Sequence, residues 1–166
     1  GQTLLRLLDE WVANDAPDAN TSVTMFQMPR CRLHDLLAAQ SWTIVHSYTR
    51  LNIDLTTADS HKAAQTQTTV RLRAARNDQD RRTIHSVLED ALAGHWNHQR
   101  RTFTDFDCDQ RQREGYDPNL WWLAEVDGRP AGAVIARDVP GRAWIAWLGV
   151  LEGHRGRGIC TPLLCS

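Results

Sequence analysis

Leu4, Leu5, Leu7, Leu8, Trp11 and Val12 recur at helical spacing and predict an amphipathic helix over 3–14. The run Asn14-Asp15-Ala16-Pro17-Asp18 ends it, because the residue before a proline avoids the helical region. From Ser22 to Met28, Val23, Met25 and Phe26 stand among polar neighbours and predict a strand. Leu33, Leu36 and Leu37 predict a short helix over 31–40. From Trp42 to Leu55, Ile44, Val45, Tyr48, Leu51 and Ile53 predict a long, bent strand. Residues 56–69 (TTADSHKAAQTQTT) hold no apolar side chain larger than alanine, so they cannot join a core and read as a linker.

A second unit begins with a strand at Val70-Arg71-Leu72-Arg73. Asp78 is the expected N-cap of a helix whose apolar face is Ile84, Val87, Leu88, Ala91 and Leu92. A polar, arginine-rich segment over 97–115 reads as a solvated loop. Three strands follow, Trp121–Val126, Ala131–Arg137 and Ala143–Leu151. Asp127-Gly128 and Pro140-Gly141 separate them, the turn chemistry of an antiparallel meander. In a regular last strand, Trp144 and Trp147 would face opposite ways. The seven tryptophans are expected to pack in the core and on the sheet.

Composition narrows the function classes. The chain has 166 residues, enough for one ordinary domain or two small pieces. With 19 basic and 20 acidic residues the net charge is −1, which disfavours a nucleic-acid binder. All the basic residues but Lys62 are arginine. No apolar run approaches the ~20 residues of a membrane span and no secretory leader is read at the start. Cys31, Cys108, Cys160 and Cys165 show no C-x-x-C spacing and read as reduced thiols. The expectation is a cytoplasmic protein that binds neither nucleic acid nor membrane. His95-Trp96-Asn97-His98 has no third ligand nearby, so no metal is expected.

The candidate chemistry lies after the last strand. Trp144 to Leu151 runs into Glu152-Gly153-His154-Arg155-Gly156-Arg157-Gly158-Ile159-Cys160. Strand, glycine-rich loop and helix start is the geometry that binds a pyrophosphate, because glycines let successive backbone N–H groups face one anion. The two arginines would add charge at the rim. The spacing matches neither G-x-G-x-x-G nor a Walker loop, which disfavours NAD binding and NTP hydrolysis. An ordinary glycine-rich surface turn is the plainer alternative.

Leu148-Gly149-Val150 followed by His154 to Ile159 resembles motif A of the GNAT superfamily of acyl-CoA-dependent N-acyltransferases, [Gln/Arg]-x-x-Gly-x-[Gly/Ala] after a strand ending in Gly-Val. Arg155 and Gly158 match, whereas Cys160 stands where glycine or alanine is usual. Ala91-Leu92-Ala93-Gly94-His95-Trp96 and Asp117-Pro118-Asn119-Leu120-Trp121 resemble two-domain members, among them the mycothiol synthase-like acetyltransferases. The resemblance implies an α/β (α+β) fold, a mostly antiparallel GNAT-type sheet flanked by helices. It implies an acetyl-CoA-dependent N-acetyltransferase acting on a small amine, with acetyl-CoA as cosubstrate. The implied cofactor residues are Leu148, Gly149, Val150, Arg155, Gly156, Arg157, Gly158, Ile159 and Cys160.

Residues 1–55 supply the elements that follow motif A in the family, and Gly1 to Leu5 can be laid on Cys160 to Leu164. Residues 1–55 thus read as the C-terminal half of one repeat, 56–69 as a linker, and 70–166 as the N-terminal part of the next. Packed together, the halves would form one sheet in circularly permuted order. A degenerate, non-catalytic repeat with a structural or partner-binding role is the alternative, favoured by Cys160.

Acyl transfer also needs a partner for the pantetheine arm, an oxyanion donor, a base and an acid. Leu148–Val150 can pair with the arm, with Gly149 permitting a bulge or close approach, and the Val150 N–H can serve the oxyanion. Glu152 is a candidate base or a solvated rim carboxylate, and Tyr48 a candidate acid or a packing residue. Asp105, Asp107, Asp109, Glu114 and Asp117 fall in the segment that forms the acceptor side in the family. They read as an amine-attracting cluster or a solvated loop.

Overall fold

Hydrophobic alternation has its counterpart in an antiparallel sheet. The computed structural model describes residues 32–39, positions 43, 44, 46, 47, 49 and 51, and 69–165 except 97. The chain divides into two units, Gly1–Thr49 and Arg50–Ser166. In the first, helix α1 (Arg32–Ala39) forms where three leucines predict it. The long strand expected over 42–55 is absent at the positions described there: 43, 44, 46, 47, 49 and 51 lie in no strand, and Ile44 and Leu51 are exposed. Alternation makes a strand only where neighbouring chain accepts the backbone and covers the apolar face. The helix over 3–14, the strand over 22–28 and residues 56–68 of the linker lie outside the described residues.

In the second unit, strands β1 (Arg71–Ala74), β2 (Trp121–Val126), β3 (Arg129–Val139) and β4 (Arg142–Val150) pair antiparallel in the order β1-β2-β3-β4. Helices α2 (Asp78–Ala91) and α3 (Phe103–Arg111) precede β2, and a short helix α4 (Cys160–Leu164) follows β4. The structure is thus an α/β fold with helices flanking an antiparallel sheet. Asp127 and Gly128 both adopt positive φ, +51° and +73°, which matches a two-residue hairpin turn to the sheet twist. Among the described residues no helix is long and apolar enough to cross a membrane.

The two sheet faces carry different cores. Ile84, Val87 and Leu88 of α2 and Phe106 of α3 pack with Trp121, Leu123, Ala133 and Ile135. On the other face Ala124, Val126, Ala131 and Val134 pack with Ile159 and Leu163. Each strand therefore sorts its side chains by the two-residue period.

The period breaks twice. Ala131 is the extra residue opposite β2, and Ala146 the extra residue opposite β3. Because of this second bulge, Ala146 and Trp147 both reach the α2–α3 core. Trp144 pairs with Arg137, whose guanidinium donates to the Gln110 side chain on α3 at 2.9 Å. Trp144 and Trp147 therefore stand on one face, contrary to the expectation for a regular strand.

Two local readings change. The N-cap of α2 is Asn77, one residue before Asp78; its side chain accepts the Asp80 N–H at 2.9 Å. Asp78 instead pairs with Arg81 and Arg82. The arginine-rich segment is not all loop, because α3 forms inside it. Thr102 caps α3, Phe106 and Gln110 are its buried face, and Asp107–Arg111 and Asp109–Arg113 pair one turn apart. Two buried positions i and i+4 make too narrow an apolar stripe to stand out in the sequence.

Candidate functional site

The site is built at the end of β4, which is an edge strand of the described sheet. The Leu151 N–H donates to the Ala131 carbonyl at 2.9 Å, which fixes the side facing β3. Since successive residues of a strand alternate, Gly149 turns its backbone groups toward β3, and Leu148 and Val150 turn theirs to the open edge. Leu148 and Val150 lay their side chains on the Ile159–Leu163 core. An N–H at Leu148 therefore joins that of Val150 as a donor on this edge.

Gly149 is glycine for a reason that its position in the loop motif does not suggest. A Cβ there would lie 2.8 Å from Ala91 Cβ and 3.3 Å from Leu88 Cδ2, so the close approach is that of α2 to the strand. Of the two readings of this glycine, a bulge or a close approach, the bulge falls at Ala146 instead. Gly132 on β3 is similarly crowded, with Gly149 O at 3.0 Å and Leu163 Cδ1 at 3.3 Å from a Cβ placed there.

The chain leaves β4 through a tight turn at Glu152–His154, where His154 N–H donates to Leu151 O at 2.9 Å and Arg155 N–H to Glu152 O at 3.2 Å. Gly156 and Gly158 adopt φ of +72° and +78°, while Ile159 has φ −65° and Arg157 is not left-handed. Alternating handedness is the backbone pattern that gathers successive N–H groups around one anion. The amides of Gly156, Arg157, Gly158, Ile159 and Cys160 have no hydrogen-bond partner among the described residues. Ile159 and Leu163, each 2% exposed, anchor the far end of this loop.

The two arginines differ in their surroundings. Arg155 donates through Nε to Val150 O at 3.1 Å and through Nη2 to Ala91 O at 2.8 Å. Arg157 is exposed and has no ion-pair partner among the described residues. Glu152 and Cys160 are exposed. The structure thus brings all nine residues singled out in the sequence to one place, with Ala91 as an unforeseen neighbour. In the sequence Ala91 reads as a small residue on the apolar face of α2 and as the first of the 91–96 run that resembles two-domain members, with no sign of this contact. Tyr48, the candidate acid, lies outside the described residues.

His98 Nε2 lies 3.1 Å from Glu89 Oε2, and among the described residues no three ligating side chains gather. Of the acidic residues at 105–117, Asp107 and Asp109 are paired with arginines, Asp105 meets the Thr102 hydroxyl, and Asp117 caps the turn Pro118–Leu120. They serve α3 and its flanks.

His85 has a different consequence. It is 8% exposed, its ring lies 4.8 Å from that of Phe106, and its Nε2 is 3.5 Å from Glu89 Oε1. Burial holds its imidazole below the ordinary 6.5, and the Glu89 charge only partly offsets this. The unfolded chain therefore takes up the proton first, so stability falls as pH drops through 6.5 and levels off below the folded value. One such group gives a slope of at most about 1.4 kcal/mol per pH unit. Urea titrations between pH 7.5 and 5 are expected to show this loss, and His85→Phe to flatten it. Asp80 and Asp109, held below 3.8 chiefly by side-chain hydrogen bonds from Arg73 and Arg113, act only in stronger acid.

Comparison with known proteins adds a family-level likeness. A family model described as the acetyltransferase (GNAT) family matches residues 74–164. An acetyltransferase of Pectobacterium atrosepticum is 34% identical over 64 residues, 39% of this chain and 45% of that protein. One of Sodalis glossinidius is 33% identical over 64 residues, with the same shares. The chain thus spans less than half the length of these curated relatives. Among solved structures, a GCN5-related N-acetyltransferase from Sphaerobacter thermophilus superposes with a TM-score of 0.49 at 23% identity, over 60% of this chain and 32% of that one. A GNAT family acetyltransferase from Brucella melitensis in complex with acetyl-CoA gives 0.47 at 21%, over 59% and 65%.

Proposed function

The chain belongs to the GNAT family of acetyltransferases, and from that membership we propose that residues 148–160 bind acetyl-CoA for transfer of its acetyl group to a small amine. The observation that carries this reading is the row of five unpartnered amides over 156–160, of alternating handedness from 156 to 159, beside the open edge of β4. Those amides would hold the pyrophosphate, with Arg157 supplying a cation at its rim. The pantetheine arm would lie along β4 as an added strand. Val150 O already accepts from Arg155, which leaves the Leu148 N–H and C=O and the Val150 N–H as the arm's first partners.

The reaction then asks for little beyond orientation and proton transfer. The amine nitrogen attacks the thioester carbonyl, the oxyanion is met by an outward N–H of β4, and the C–S bond breaks as the tetrahedral intermediate collapses. The amine loses a proton and the CoA sulfur gains one. Glu152, exposed at the loop, is the candidate base for the first, directly or through water. A cytoplasmic setting belongs to the same reading, since Cys108, Cys160 and Cys165 are free thiols. So does the assignment of 1–55 to a preceding repeat.

Calorimetric titration with acetyl-CoA tests the proposal. Saturable binding supports it and justifies an amine screen that follows thiol release. A folded chain that binds no acetyl-CoA overturns it and leaves the non-catalytic repeat.

A further inference from the structure

We infer that Arg155 is a positioning residue: its guanidinium fastens the glycine loop to the ends of β4 and α2 and makes no contact with the cofactor's phosphates. This rests on the acyl-CoA reading of the loop and reverses the role that the sequence suggests for one of its two arginines.

The argument starts from the acceptors. Ala91 O belongs to the last turn of α2, where carbonyls lack an intrahelical N–H and carry the negative end of the helix dipole. Among the described residues its hydrogen-bond donor is Arg155 Nη2, at 2.8 Å. Val150 O points off the open edge of β4 and receives Nε at 3.1 Å. These two carbonyls come from elements that Gly149 allows to touch, since the missing side chain at 149 is what lets Ala91 approach. A planar guanidinium spans both at once, while an ammonium donates from a single point.

Charge points the same way. Arg155, exposed like Arg157, has no carboxylate partner among the described residues; its hydrogen bonds go to two carbonyls. Two residues on, Arg157 is exposed and unpaired among those residues, and it is the cation left for an anion on the 156–160 amides. Arg155 sets where those amides stand, and Arg157 faces what they bind.

The test compares Arg155→Gln and Arg155→Lys with Arg157→Gln and Arg157→Lys in the full chain. Hydrogen exchange is read without ligand and affinity by titration with acetyl-CoA. Both Arg155 variants are expected to speed exchange about tenfold at positions 151, 154 and 155, whose N–H groups are hydrogen-bonded, with β2 and β3 unchanged, and to weaken acetyl-CoA about tenfold, lysine giving no rescue. At 157, lysine is expected to restore the affinity that glutamine loses. Wild-type affinity in Arg155→Lys but not Arg155→Gln would show a charge contact and overturn the inference. So would unchanged exchange at 151, 154 and 155, or a rise that spreads through the whole sheet. If the unaltered chain binds no acetyl-CoA, the functional reading fails, and the exchange data alone still decide the clamp.

Discussion

Gly149→Val is expected to destabilise the β1–α4 unit by about 3 kcal/mol or more, at the upper end of what overpacking costs. An ideal Cβ at 149 already lies 2.8 Å from Ala91 Cβ and 3.3 Å from Leu88 Cδ2, and valine adds two methyls beyond it. Neither neighbour can swing aside, because Ala91 has no side-chain rotation to use and Leu88 is 2% exposed within the core. The helix itself must lift from the sheet, loosening Ile84, Val87 and Leu88 together. Urea unfolding followed by fluorescence measures the loss. Adding Ala91→Gly to the valine variant is expected to recover part of it, because the two positions share one contact. An unchanged midpoint in Gly149→Val would refute the close packing of α2 on β4.

Gly158→Trp is expected to weaken acetyl-CoA binding at least about 100-fold while leaving the fold nearly as stable. Two effects combine. At φ +78° any side chain strains the backbone, by roughly 1–3 kcal/mol if the loop holds its shape, and a bulky indole would lie over the amides proposed to hold the pyrophosphate. The loop is exposed at 155–158, so the change disturbs no core residue there, and Ile159 and Leu163 remain as anchors. Calorimetry with acetyl-CoA, beside a thermal melt, separates the two effects. Binding within about threefold of the unaltered chain would remove the 156–160 loop from the site and leave family membership untouched.

Much of the sheet was legible in the sequence. Trp121–Val126 is found as predicted, and β3 and β4 lie within two residues of expectation, because two-residue alternation bounded by Asp-Gly and Pro-Gly is a local signal. Helix α2 was legible from Ile84, Val87, Leu88 and Ala91, whose spacing paints one face. Helix α3 was not, since its stability comes from Phe106 meeting Trp121 and Trp147 and from ion pairs along an otherwise polar surface. The long strand over 42–55 failed for the opposite reason. Its residues suit a strand, but the positions described there lie in no strand, and Ile44 and Leu51 are exposed.

By itself, the sequence determined the strands β1 to β4, helix α2 and the glycine–arginine loop that follows β4, because hydrophobic periodicity and the freedom of glycine act over a few residues. Only the tertiary structure decided what Gly149 makes room for, why Trp144 and Trp147 share a face, and where the Arg155 guanidinium goes. Each of these depends on a partner distant in the chain: α2 behind β4, the bulge at Ala146 against β3, and a carbonyl at Ala91, 64 residues before the arginine that holds it. Hydrogen bonds and close contacts are satisfied in space, and only the packed helix and sheet bring those partners together.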